Sequence, residues 1–192
     1  MKGLIAMNLT KGEQTKQNLI ETAAKLFLKK GYSNTGINDI LQEAKISKGS
    51  FYFYFSSKKE LGFEVANYYG EIVLHNWLEP LSNNPWDVFI NKMVSFIKRT
   101  DKAGKYFGCP IATLGLDIVF VDNDLSNVYA NGIKKLIDIF SNSLQISGLT
   151  KDNADIVARK AFALYEGHTL YYRISKDKSA FDYMLKDLLS LV

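Results

Sequence analysis

The sequence predicts an all-α protein, built as a three-helix head followed by a six-helix body. Three observations carry that reading. Apolar residues recur at three- and four-residue spacing through most of the 192 residues, and no segment alternates strictly between hairpin turns. Ser, Thr, Asn and Pro stand where such runs begin, and Gly where several of them end. Positive charge is also concentrated at one end. Residues 1–60 carry ten lysines against five acids, while the rest of the chain holds 14 basic and 15 acidic groups. A basic head on a neutral body suits a protein that grips nucleic acid, although charge alone leaves open a merely solvated basic surface.

The elements follow in order. Residues 1–9 are expected to form a disordered arm, with Met7 as a possible start. A helix from about Lys11 to Lys30 places Leu19, Ile20, Ala23, Ala24, Leu26 and Phe27 on one face, and Gly31 ends it. Thr35 is expected to cap a second helix holding Ile37, Ile40, Leu41 and Ala44. A four-residue turn, Ala44 to Ser47, leads into a third helix from Lys48 to Phe55. Ser57 and Glu60 read as a capping box opening a fourth helix that continues to about Leu78.

Asn84 is expected to cap a fifth helix with Pro85 at its first position, carrying Trp86, Phe89, Ile90, Met93, Phe96 and Ile97. Pro110 starts a sixth, Asp122 to Gln145 holds a seventh that Gly148 closes, and Thr150 and Ser179 cap the last two. The expected division is residues 9–56 for the head and 57–192 for the body.

Composition narrows the function classes. Hydrophobic residues make up 47% and charged residues 23%, as in a soluble folded chain. No secretory signal is expected, because Lys11 follows the short apolar patch Leu4-Ile5-Ala6-Met7. The apolar run Pro110 to Val121 contains Asp117 and is too short to span a bilayer. A single cysteine excludes an internal disulfide and suits a reducing, cytoplasmic location. No phosphate loop, dinucleotide fingerprint or paired metal-ligand motif is present, so no enzyme, metal or cofactor is expected. Nothing in the spacing of Cys109, His75 and His168 supports a thiol–imidazole pair.

The third helix is unusually aromatic. At about 100° per residue, Phe51 and Phe55 share one face, where they would pack with Ile46 against the first helix. Gly49 and Phe53 point the opposite way, flanked by Ser50 and Tyr52. DNA is a natural cover for that outer face. A helix fits the major groove, an outward phenyl can touch thymine methyls, and Gly49 allows close approach. The bland reading makes these aromatics core and the lysines solvated; it holds for Phe51 and Phe55.

Here the residues resemble a known family. The string Ala44-Lys45-Ile46-Ser47-Lys48-Gly49-Ser50-Phe51-Tyr52-Phe53-Tyr54-Phe55-Ser56-Ser57-Lys58-Lys59-Glu60-Leu61 is similar to the signature of the tetracycline-repressor (TetR/AcrR) family, and Thr35 and Asp39-Ile40 fit it upstream. The resemblance covers roughly the first third of the chain. It implies a helix-turn-helix DNA-binding head on a ligand-binding and dimerisation body. It further implies that Thr35, Ser47, Tyr52, Tyr54 and Lys58 hold phosphates while Lys48, Ser50 and Phe53 face bases, with Gly49 beside them. Lys58 has its own rationale, since it lies in the first turn of a helix directed at the DNA backbone.

The body is expected to dimerise. The eighth helix, about Asp152 to Ser175, carries two apolar stripes: Val157, Ala161, Leu164, His168 and Tyr171, then Ala158, Phe162, Tyr165, Thr169 and Tyr172. One stripe can pack on its own core; the other needs a partner, and Gly167 would allow close helix approach. The last helix offers Phe181, Leu185 and Leu188. The resemblance implies that these two helices pair with their mates, so Leu164, Gly167, His168, Tyr171, Phe181, Leu185 and Leu188 are the expected interface. Two heads on one dimer reach a pseudo-palindromic operator on double-stranded DNA. The alternative is that both stripes are internal core.

The aromatics Tyr68, Tyr69, Trp77, Phe89, Phe96, Tyr106, Phe107, Phe120 and Tyr129 can be core or pocket, and the resemblance implies a pocket for a small-molecule inducer of unknown identity. Cys109 precedes Pro110 and so sits at a helix N-terminus, where unpaired N–H groups favour a thiolate; Lys102 and Lys105 are close in sequence. Gly108-Cys109-Pro110-Ile111-Ala112-Thr113-Leu114 is similar to a Gly-Cys-x-x-x-x-Leu segment in one branch of the family, some of whose members sense oxidants or electrophiles. The alternative is an inert, buried small hydrophobe.

The expected function is a ligand-responsive transcriptional regulator, a repressor released by a small molecule or by thiol modification. A ligand-binding scaffold that has lost DNA binding is the competing reading.

Overall fold

The computed structural model describes residues 10–192, so the expected N-terminal arm lies outside the described residues. Among these the chain is helical with no strand. Helix α1 (Lys11–Lys30) starts at Thr10, whose hydroxyl accepts from Glu13 N while the Glu13 carboxylate accepts from Thr10 N at 2.7 Å. That reciprocal box satisfies two otherwise orphaned donors and holds the Glu13 carboxyl below its ordinary range. Gly31 ends α1 at φ 94°, a left-handed conformation that a side chain would strain.

Helix α2 (Ile37–Ala44) packs on α1, and α3 (Lys48–Tyr54) packs on α2. Thr35 is not the cap of α2. Gly36 takes that position, with its N–H donated to the Asp39 carboxylate at 2.7 Å. Thr35 is fully buried and donates its hydroxyl to the Gly31 carbonyl at 2.7 Å. The turn between the helices passes through Lys45 in the left-handed region and ends on Ser47, whose hydroxyl caps α3 by accepting from Ser50 N. Leu19, Phe27, Ile40, Phe51, Phe55 and Leu61 close the core of this unit. Each contributes roughly 1.5–3 kcal/mol by leaving water.

Helix α4 (Lys58–Tyr69) joins the head to the rest. Ser57 caps it as expected, but Glu60 turns away from the reciprocal bond and accepts from Ser56 N and Ser56 Oγ instead. The continuation to Leu78 is not α-helical. Gly70–Leu78 winds as a π-helix, in which Glu79 N bonds Leu74 O five residues back, and the short α5 (Glu79–Leu81) follows. A π stretch is rare and differs from an α-helix only in bonding i to i+5, so a nine-residue sequence pattern does not announce it. Gly62 on α4 permits close approach to the body, since an added Cβ would lie 2.8 Å from Leu125 Cδ2 and 3.2 Å from Tyr32 Cε2.

Helices α6 (Trp86–Lys102), α7 (Pro110–Ile118), α8 (Asn123–Ile146), α9 (Lys151–Ser175) and α10 (Ala180–Leu189) complete the body. Pro85, one residue later than expected, caps α6. Thr150 and Ser179 occupy the cap positions of α9 and α10 without making a side-chain cap bond. Helix α8 is central, touching α4, the π segment, α6, α7 and α9, while α10 lies between α6 and α9. Trp86 anchors that end: its ring is buried on Phe89 and Phe140, and its indole N–H donates to Leu188 O at 2.7 Å. Of the aromatics expected in core or pocket, Phe120 departs most. It lies 93% exposed in the α7–α8 turn, beside exposed Val121.

Candidate functional site

Helix α3 presents one uncovered face. Phe51 and Phe55 are buried, while Phe53 is 81% exposed and stacks edge-on against Tyr54 at 4.9 Å between ring centres. Lys48, Gly49 and Tyr52 are exposed beside it, and Ser50 and Tyr54 are half-buried. An 81% exposed phenyl costs hydration without packing in return, and a Cβ on Gly49 would meet nothing within 4 Å. The protein's own packing therefore requires neither residue. Ser47 is exposed, with its hydroxyl 3.0 Å from that of Ser50. The angular reading of α3 and the placement of Ser47, Lys48, Gly49, Ser50, Tyr52, Phe53 and Tyr54 thus form one surface.

Thr35 and Lys58 do not join it as side chains. The Thr35 hydroxyl is committed to Gly31. The Lys58 ammonium donates to Tyr32 O at 2.9 Å and Thr35 O at 3.1 Å, and lies 4.3 Å from the centre of the Tyr32 ring. Partial burial lowers the Lys58 pKa, with Asp117 nearby opposing that shift. The first turn of α4 does point this lysine at a backbone, but the backbone is the protein's own.

The same corner ties head to body. Asp117 near the end of α7 accepts from Ser33 N at 3.1 Å. Lys59 on α4 bridges Asp122 and Asp124, each at 2.8 Å, and these hydrogen bonds hold its pKa above the ordinary lysine value. Sequence reasoning missed these contacts. The one available signal was Asp117 itself, a lone charge within the apolar run Pro110 to Val121.

Cys109 caps α7 by position, as expected, and of its two readings its surroundings favour the buried, inert thiol. The thiol is 2% exposed, and burial together with the neighbouring Glu166 carboxylate pushes its pKa up. Desolvation outweighs the backbone N–H groups of Ile111 and Ala112, which act the other way. Burial likewise raises the Glu166 carboxyl to about 7, and its Oε1 is buried without a hydrogen-bond partner. Tyr106 and Thr169 share a 3.2 Å hydrogen bond beside this pair, and Arg173 reaches Thr113 at 2.9 Å. Glu166 was missed because a single acid between Tyr165 and Gly167 reads as solvated.

The expected interface residues divide. Phe181 and Leu188 are buried within the chain's own core, where α10 packs on α6 and α9. Phe181 stacks on Tyr172 at 4.4 Å and Leu188 O receives the Trp86 indole. Leu164, Leu185 and His168 are half-buried, the last bonded to Asp187 at 2.9 Å; Gly167 and Tyr171 are exposed. Ala161 of the first stripe and Ala158, Tyr165, Thr169 and Tyr172 of the second are internal. The uncovered face of α9 instead runs along Ile156, Ala163, Gly167, Leu170 and Ile174, with Ile174 77% exposed. This face is offset by one residue from the first stripe and by two from the second.

No described helix is long and apolar enough to cross a membrane. Among the described residues, no group of three or more His, Cys, Asp or Glu is placed to hold a metal ion.

Known proteins agree with this arrangement. Residues 19–65 match the model of bacterial regulatory proteins, tetR family, and residues 86–186 match the C-terminal domain of LmrA/YxaF-like transcriptional regulators. An uncharacterized HTH-type transcriptional regulator in the lacX 3′ region of Lactococcus lactis subsp. lactis is 30% identical over 177 residues, covering 85% of each chain. The uncharacterized HTH-type regulator YxaF of Bacillus subtilis is 27% identical over 178 residues, covering 89% of this chain and 91% of its own. In fold, a crystal structure of a TetR regulator from Legionella pneumophila superposes with a TM-score of 0.84 at 20% identity, over 97% of this chain and 100% of that one. These relatives are named as regulators of transcription rather than as enzymes. With an outward-facing recognition helix at one end and a matching C-terminal body at the other, the chain belongs to the tetR family of bacterial transcriptional regulators, which bind DNA.

Proposed function

We propose that this regulator is a homodimeric repressor, with a head at residues 9–56 and a sensing and dimerisation body at 57–192. It binds a pseudo-palindromic operator and is released by a small molecule. The observation that carries the reading is Phe53, 81% exposed at the centre of the α3 face among Lys48, Gly49, Ser50 and Tyr52. On DNA, Lys48, Ser50 and Phe53 face base edges, while Ser47, Tyr52 and Tyr54 hold phosphates. The backbone of the Thr35 segment, braced by Lys58, stands behind them. Dimerisation uses the uncovered α9 face around Gly167, Leu170, Tyr171 and Ile174, with Leu164, His168 and Leu185 at its edge.

Release by a small molecule is favoured over thiol modification, because the Cys109 thiol is buried with a raised pKa and modification requires an accessible thiolate. The test is fluorescence anisotropy with duplex DNA from the region upstream of the protein's own gene. A salt-sensitive, sequence-specific complex that Phe53→Ala weakens by about 1–3 kcal/mol supports the reading. Absence of any such complex, with or without ligands, would favour the scaffold that has lost DNA binding.

A further inference from the structure

The outer face of α6 forms a hollow with the end of the π segment. Lys92, Ser95, Phe96 and Arg99 follow one another at three- and four-residue spacing, on the side of the helix opposite the core residues Ile90, Met93 and Ile97. With Trp77 and Leu81 on the facing wall they line an open space of about 370 Å³. A larger groove between the π segment and α8 shares none of these residues.

The hollow joins aromatic surface to unpaired positive charge. Trp77 and Phe96 are half-buried and pack together at 4.0 Å between ring centres, tilted by 32°. The exposed Arg99 guanidinium lies 5.4 Å from the centre of the Phe96 ring. Other charges on α6 are paired, Lys98 with Asp182 at 2.6 Å and Asp101 with Lys178 at 3.0 Å. Among the described residues Arg99 and Lys92 meet no carboxylate, and Lys92 reaches only the neutral Asn84 Oδ1 at 3.3 Å. No acidic residue lines the hollow.

Rings flanked by unpaired cations are complementary to a planar anion and repel a cation. Arg99 and Lys92 stand seven residues apart, roughly 10 Å along the helix, so one compact anion reaches one of them and not both. Arg99 offers a planar fork beside a ring, the geometry that matches a carboxylate through two parallel bonds. We propose that this hollow binds an aromatic carboxylate, its charge paired with the Arg99 guanidinium and its ring laid against Trp77, Phe96 and Leu81. The site lies on the outer side of α6, apart from any inducer site within the body, and it selects its ligand by charge.

The test follows three fluorinated probes by fluorine NMR with the full-length protein: 4-(trifluoromethyl)benzoate, the corresponding benzyl alcohol and the saturated 4-(trifluoromethyl)cyclohexanecarboxylate. The benzoate should bind, and Arg99→Gln should weaken it about fivefold, the loss of one exposed charge pair, while leaving the alcohol unchanged. Trp77→Leu should weaken the benzoate about fivefold and the saturated acid about twofold or less, because only the first presents a ring face. Circular dichroism verifies that each variant is folded; Arg99 is exposed, so Arg99→Gln decides the matter even if Trp77→Leu does not fold. No binding of the benzoate, indifference of the benzoate to Arg99→Gln, or an equal loss of the alcohol in that variant overturns the proposal. So does an equal loss of both acids in a folded Trp77→Leu. No DNA is present, so the outcome is independent of operator binding.

Discussion

The Lys58 ammonium is bonded to the Tyr32 carbonyl at 2.9 Å and sits 4.3 Å from the centre of the same residue's ring. One side chain thereby closes the loop after α1 onto the start of α4, using donors that a solvent-facing lysine would offer to phosphate. Lys58→Met should lower stability by about 1–3 kcal/mol, because two partly buried carbonyls lose their donor. The urea midpoint measures this. The slope of log binding constant against log salt should stay unchanged, whereas a phosphate anchor would flatten it by about 0.9 at constant stability.

Phe53 behaves in the opposite way. With so little of its ring packed, Phe53→Ala should alter stability by no more than about 0.5 kcal/mol. Its loss of a base contact should weaken operator binding by about 1–3 kcal/mol while leaving non-specific DNA affinity nearly intact. Anisotropy titrations with operator and scrambled duplexes separate the two effects.

Glu166 makes stability depend on pH. Its carboxyl rises from 4.5 to about 7 on folding, chiefly through burial. Below about pH 4.5 both states hold the proton, so the group contributes no difference. Between the two values the folded state keeps a proton the unfolded state has released, and stability falls as pH rises. Above about pH 7 the full cost is present, at most about 3 kcal/mol. Glu166→Gln should therefore flatten the fall in urea midpoint between pH 5 and pH 8. An identical fall in the variant would show that the carboxylate is not its source.

Cys109 should react slowly. A buried thiol with a raised pKa holds little thiolate near neutrality, so iodoacetamide should label the folded protein more slowly than free cysteine and reach it at full rate only in denaturant. Labelling faster than the free thiol would restore the sensor reading.

The proposed dimer face separates from the core. Leu170→Glu or Ile174→Glu should yield folded monomers by light scattering, since both side chains are exposed in the single chain. Leu188→Ala should instead cost about 2–5 kcal/mol of stability, because that leucine is fully buried beside Trp86. Unchanged dimers in both glutamate variants would move the interface elsewhere.

The sequence by itself determined the helices, the turn from Ala44 to Ser47 and the outward angle of Phe53. These follow from short-range periodicity and capping, which act within a few residues. It also located the surplus lysines. Tertiary structure decided which of their charges remain free: Lys58 is spent on carbonyls 23 and 26 residues away, and Lys59 on acids of another helix. It likewise weighed between the two readings of Cys109, because a helix N-terminus is a local property while desolvation and a carboxylate 57 positions away are not. The face that α9 leaves uncovered was set in the same way, by what the neighbouring helices cover. Periodicity specifies that a face is apolar; only packing decides whether the chain itself, a second copy or a ligand covers it.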